Sequence, residues 1–293
     1  MRGGARPAFL GSMPEPNLPF RWDVEHDHLG SLTEPADPER SYVQALTECA
    51  AKVLARGGDR DLYFVGRSPD SVYDLLRGVL ADTPHRDRLH RLPLSLYGYD
   101  GQGLSRDEQA QLRANLTAQG ITPARLAGGG RAAVFCDLVN EGGTFENLHR
   151  ELRSWIADDR ADWNRVRTRV GYLGIVSRGK TSPNTWRWQQ HAPWVRELPT
   201  RAVRNVSVPG WLWGYLGNVQ PKTEPSFRRT RWADPEVARP RRDEKTRAAL
   251  SGALALFERG RTAEVRAGFR AVLTAEPAFR EPWLRTLAHA VRP

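Results

Sequence analysis

The residues of this chain best suited to chemistry stand together in the run Ala133-Val134-Phe135-Cys136-Asp137-Leu138-Val139-Asn140-Glu141-Gly142-Gly143-Thr144. A buried strand there would deliver Asp137 at its carboxyl end. The residues after it form a glycine-bearing loop that closes on a helix N-terminus. Successive backbone N–H groups in such a loop, with the helix dipole, suit a phosphate monoester. Gly142 and Gly143 allow close approach of the backbone. Thr144 adds a hydroxyl, and Asp137 can accept hydrogen bonds from ribose hydroxyls. The plain alternative is that Asp137 caps the following turn and Gly142-Gly143 is a tight reversal. A second cluster lies upstream at Gly66-Arg67-Ser68. Ser68 is a good helix N-cap and Pro69 suits the first helical position, while Arg67 either neutralises an anion or is solvated. Asp70 and Asp74, one helical turn apart, can hold magnesium through water; complementing the helix dipole explains Asp70 equally well.

Apolar periodicity predicts the elements that must position these groups. Val43, Leu46, Ala50, Val53 and Leu54 repeat at helical spacing, and Gly57-Gly58 ends that helix. Leu62 to Val65 reads as a buried strand. Val72, Leu75, Leu76 and Val79 form the inward face of the helix after it, and a second strand is expected from Leu92 to Tyr97. Ser105 caps a helix running to about Ala118. A third strand spans Ala132 to Leu138, a helix with Leu148, Leu152 and Ile156 inward follows, and Val170 to Val176 makes a fourth strand. Such alternation predicts βαβ units, hence an α/β fold on a doubly wound, mainly parallel sheet with helices on both faces. Ligands of these sheets sit beyond the carboxyl ends of the strands, an edge built here from residues 66–71, 98–105 and 137–144.

The segment ending at Thr144 resembles the fingerprint of the type I phosphoribosyltransferases: an apolar strand, two acidic residues, an apolar pair and a threonine-rich loop ending in Gly-Gly-Thr. Matched backwards from Gly142-Gly143-Thr144, Asp137 falls on the second acidic position. Asn140, Glu141, Gly142, Gly143 and Thr144 fall on the 5′-phosphate loop. Cys136 stands in place of the first acidic residue, and Glu141 lies inside the loop. The resemblance covers about residues 40–177 and implies a sheet of phosphoribosyltransferase type. It implies a pyrophosphate loop at Gly66, Arg67 and Ser68 and a mobile catalytic loop at 98–105. By the same resemblance the ligand is phosphoribosyl pyrophosphate with Mg2+ on its pyrophosphate. Ribose 5-phosphate would pass to an acceptor, with Asp137 holding the ribose and Arg67 neutralising the departing pyrophosphate as the catalytic residues. The alternative is a catalytically silent module of the same fold that binds a phosphorylated nucleotide and engages a partner protein.

The flanking regions read differently. Residues 1–38 carry six prolines and no apolar period, and are expected to form a flexible arm. The ligand-type residues from Asp23 to His28 have no rigid frame there, so no metal site is expected. The phosphoribosyltransferase-like domain would span 39–220. Within it, Trp186, Trp188, Trp194, Trp211 and Trp213 are expected on strands or extended segments, mostly as packing, with the segment roofing an acceptor pocket. The basic residues 177–182 would form a loop over the active edge. Residues 221–242, with four prolines and seven basic residues, read as a basic linker or a wrapping segment. From Asp243 the chain turns helical. The spacing Leu256…Phe269…Val272…Pro277 resembles one tetratricopeptide repeat, a small helical appendage over 243–293 that docks on the core or on a partner. The 293-residue chain carries a net charge of +10, with four lysines among 44 cations. That charge favours polyanions such as nucleic acid, nucleotides or phosphorylated sugars, but with lysine so scarce a solvated basic surface is the plainer reading, and the want of a compact basic run argues against nucleic acid. No apolar run is long enough to span a bilayer or serve as a signal peptide. Two cysteines, Cys49 and Cys136, make neither a disulfide scaffold nor a metal-ligand spacing, and a cytoplasmic protein is expected.

Overall fold

Five strands organise the chain: β1 (Asp61–Val65), β2 (Leu89–Leu92), β3 (Ala133–Leu138), β4 (Val170–Ser177) and β5 (Val203–Val208). The computed structural model describes residues 15–25, 29–30, 32–96, 103–180 and 187–292. The strands lie in the order β2-β1-β3-β4-β5, each neighbouring pair parallel. Side-chain alternation divides their residues between two cores. Leu62, Phe64, Val134, Cys136, Leu173 and Ile175 face one hydrophobic cluster. Tyr63, Val65, Ala133, Phe135 and Tyr172 face the other. A sheet covered on both faces needs near-continuous apolar strands, which is why all five residues of β1 are buried.

Two helical layers provide the cover. On the first face lie α1 (Arg40–Gly57) and α2 (Asp70–Val79). On the second lie α3 (Arg106–Ala118), α4 (Pro123–Gly128), α5 (Gly143–Asp158) and α6 (Trp163–Arg169). The α3 start follows its sequence signal: the Ser105 hydroxyl accepts from the Glu108 N–H at 3.2 Å, and a Glu108 oxygen accepts from the Ser105 N–H at 2.8 Å. After β5 come a short α7 (Gly210–Gly214), a π-helical turn (Tyr215–Val219), then α8 (Glu244–Arg261), α9 (Ala263–Ala275) and α10 (Pro282–Ala290).

Several expectations give way. Residues 15–25 pack on the body: Val24 is buried against Ala253 and Phe257 of α8, and the Phe20 N–H donates to the Val237 carbonyl at 2.7 Å. Residues 1–14 lie outside the described residues. Short apolar spacing had hidden β5, whose first three positions are only half-buried. The strand expected at Leu92–Tyr97 begins earlier and ends at Leu92; Ser95 makes only an isolated bridge to Arg228. Trp211 and Trp213 lie on α7 and not on a strand.

The basic Pro-rich segment is a wrapper: Phe227, Trp232 and Val237 are buried in the second core. Helices α8–α10 complete the first layer, since Leu256, Phe269, Leu273 and Leu284 join the cluster under α1 and α2. Gly78 and Gly260 bring α2 and α8 together so closely that a Cβ on Gly260 would lie 2.5 Å from the Leu75 carbonyl oxygen. Among the described residues no helix is long and apolar enough to cross a membrane, and both cysteines are buried as free thiols.

Candidate functional site

Strand order reverses between β1 and β3, because β2 lies on one side of β1 and the later strands on the other. Crossovers leaving those two carboxyl ends diverge to opposite faces and leave a crevice, the usual ligand position in open α/β sheets. A pocket of about 480 Å³ occupies that place here. Gly66, Arg67 and Ser68 line it from β1, and Asp137, Leu138 and Thr144 from β3 and the start of α5. Arg21, Lys222, Glu224 and Arg228 close it from segments distant in sequence.

Asp137 is almost fully buried at the strand end. Its Oδ1 accepts the Leu138 N–H at 2.7 Å. Burial pushes its carboxyl up to about 8, opposed by that amide, by Lys222 and by the Thr144 hydroxyl. Lys222 moves the other way: burial brings its ammonium down to about 8, against the pull of Asp70 and Asp137. The ammonium donates to the carbonyls of Arg67 at 2.9 Å and Leu216 at 3.0 Å. Arg67 donates to the Glu224 carbonyl at 2.9 Å. Among the described residues, no carboxylate lies within ion-pair distance of Arg67, Lys222 or Arg228. Arg21 is different, since Glu224 holds it in an ion pair and its guanidinium donates to the Gly66 carbonyl at 3.3 Å.

A strap of chain from Gln220 to Glu224 fixes the β1 turn. The Gln220 amide donates to the carbonyls of Arg67 at 3.0 Å and Ser68 at 2.9 Å, and its oxygen accepts the Ser71 hydroxyl. Ser68 therefore does not cap α2; Pro69 takes the cap position with no side-chain hydrogen bond. Three cations without carboxylate partners therefore stand beside one carboxyl held toward its neutral form, groups that can oppose negative charge and exchange hydrogen bonds with hydroxyls. A protonated Asp137 both donates to and accepts from a hydroxyl.

The supposed phosphate loop splits. Thr144 reaches the pocket, while Asn140, Glu141, Gly142 and Gly143 stay out of its lining. Gly142 takes the left-handed conformation (φ 89°) as the N-cap of α5. A Cβ there would lie 2.5 Å from Cε3 of Trp188, so glycine is required for two reasons at once. Glu141 is exposed to solvent. Cys136 faces the first core, where the strand's alternation must turn it. Trp188 and Trp194 are packing groups rather than a roof: Trp188 meets Phe145 at 5.8 Å and donates to Asn205 at 2.8 Å, and Trp194 lies on His149 at 4.7 Å. Residues 98–102 of the expected catalytic loop, Trp186, and 181–182 of the basic loop fall outside the described residues.

A protein-held magnesium ion does not fit this lining. Such sites use ionised carboxylates and other oxygen ligands, whereas among the described residues lining the pocket Glu224 is paired with Arg21 and Asp137 is held toward its neutral form beside Arg67, Lys222 and Arg228. The other pair the sequence offered, Asp70 and Asp74, does not line this pocket, and Asp74 bonds Arg91 at 2.6 Å. Sequence reasoning missed Arg21, Lys222 and Arg228 because proline-rich surroundings have no period to read. One signal was present, since a chain that uses arginine almost throughout keeps a lysine at 222. No family model, curated protein or solved structure matches the chain.

Proposed function

We propose that the pocket between β1 and β3 binds a phosphorylated ribose, phosphoribosyl pyrophosphate or a close relative. One observation carries the reading: Asp137, Thr144 and the Gly66–Ser68 turn share a cavity with Lys222 and Arg228, and neither these two cations nor Arg67 has a carboxylate within ion-pair distance among the described residues. Its volume of about 480 Å³ suits a sugar phosphate, and it lies at the switch point where such sheets take ligands. Arg67, Lys222 and Arg228 oppose the phosphate charge, Thr144 donates its hydroxyl, and Asp137 engages the ribose hydroxyls. The sheet is then of phosphoribosyltransferase type in its use of this edge. Transfer of ribose 5-phosphate, with release of pyrophosphate, is the second step of the reading. Arg67 and Lys222 would stabilise the departing charge electrostatically. The silent alternative draws on Cys136, whose place in the first core leaves Asp137 without an acidic neighbour on its strand end.

Calorimetry with ribose 5-phosphate and with phosphoribosyl pyrophosphate, each with and without Mg2+, tests binding. Replacing Lys222 or Arg67 by Met should weaken binding about 10- to 100-fold, the usual loss of a charge-assisted hydrogen bond. Absence of heat with both ligands would remove the reading. Pyrophosphate release in the presence of candidate acceptors separates the transferase from the silent module.

A further inference from the structure

On the far side of the Gln220–Glu224 strap lies a second pocket of opposite character. It measures about 450 Å³ and is bounded by the starts of α1 and α2, the middle of α8 and the segment around Trp211 to Thr223. The two pockets share no lining residue. Its aromatic wall is Trp211, Tyr215 and Tyr42, the two tyrosine rings meeting edge-on at 4.8 Å. Trp211 keeps 53% of its surface exposed, although a ring of that size normally finds cover. The charged lining is Glu39, Asp70, Asp74 and Arg91, and Arg91 is already bound to Asp74 at 2.6 Å. Asp70 is only 9% exposed, yet its Oδ1 accepts no hydrogen bond. The Arg21 guanidinium stands 3.8 Å from it and is paired with Glu224.

Each class of ligand meets these walls differently. An anion is repelled by the surplus of carboxylates. A purely apolar molecule would cover the carboxylates of Glu39 and Asp70 without offering either a hydrogen bond, which is unfavourable. An organic cation meets both demands: aromatic faces attract it through their quadrupoles, and its N–H groups satisfy the carboxylate by a charge-assisted hydrogen bond. We propose that this second pocket binds an organic cation of amidinium, guanidinium or ammonium type, seated against Trp211 and paired with Asp70. The site stands whether or not the first pocket takes a sugar phosphate.

Titrating the full chain calorimetrically with benzamidine, benzamide and benzoate tests charge at constant shape. Benzamidine should bind at least about tenfold more tightly than either isostere. Trp211→Ala, at an exposed position, and Asp70→Asn should each lower benzamidine affinity by about the same factor. Circular dichroism on both variants checks that the fold persists. Equal affinity for the isosteres, no binding at all, or unaltered affinity in Trp211→Ala would overturn the proposal. Agmatine and N-acetyl-arginine amide then separate the sources. Tighter binding of the first supports a free amine as the ligand, and of the second an arginine side chain of a partner peptide.

Discussion

Asp137 and Lys222 carry opposite formal charges, and burial drives both toward neutrality near pH 8. The consequences for stability have opposite signs. Asp137 binds its proton more tightly in the folded chain, so stability falls as pH rises from about 4 to about 8. Lys222 binds its proton less tightly when folded, so stability rises from about pH 8 to about 10.5. The pair's contribution should therefore be least near pH 8. In Asp137→Asn the loss on the acid side should vanish, leaving the variant more stable than wild type at pH 8 by an amount on the order of a few kcal/mol. Urea unfolding at a series of pH values measures this, and parallel curves for the two proteins would contradict it. Phosphate-ester affinity should fall above pH 8, where Lys222 loses its charge and Asp137 gains one. Asp137, Thr144 and Arg67 were legible in the sequence because a strand end and a turn fix where they project. Lys222 was not, because only the folded path of an irregular strap brings it 2.9 Å from the Arg67 carbonyl.

At the scale of elements, α5 shows how one residue couples a helix start to the packing behind it. Gly142 supplies the left-handed turn, and the space a side chain would take belongs to Trp188. Gly142→Ala should destabilise the fold by roughly 2–4 kcal/mol, from backbone strain plus overpacking. A urea midpoint shift followed by tryptophan fluorescence reports it; a change below about 0.5 kcal/mol would mean that the turn relaxes freely. The sequence carried β1, β3 and β4 plainly, since strands buried on both faces are runs of apolar residues. The start of β5 is less covered, and its Arg204 and Asn205 are only half-buried, so no such run appears. The α7 region misled for a related reason. The alternation Trp211/Trp213 mimics a strand, yet the local path is helical, with the Trp213 N–H donating to the Pro209 carbonyl at 3.0 Å.

For the whole molecule, the decisive fact is that the last 50 or so residues are built into the first core. A helical pattern after a proline-rich stretch reads as an appendage that docks on the core or on a partner, because sequence separation conveys nothing about which surface shares its burial. The Gly78–Gly260 approach and the common cluster under α1 join these helices to the sheet in one packed body. Deleting 243–293 should therefore abolish the sharp thermal transition and the near-ultraviolet dichroism of the remaining chain, where an independent appendage would leave both intact. The strap has a further consequence for biosynthesis. Its anchors on the carbonyls of Arg67 and Ser68 bridge more than 150 positions of chain. During translation, β1 through β5 leave the ribosome before Lys222, Glu224 and Arg228 do. A nascent polypeptide halted after β5 would lack Lys222, Glu224 and Arg228, so the lining of the pocket is completed only in the final quarter of synthesis.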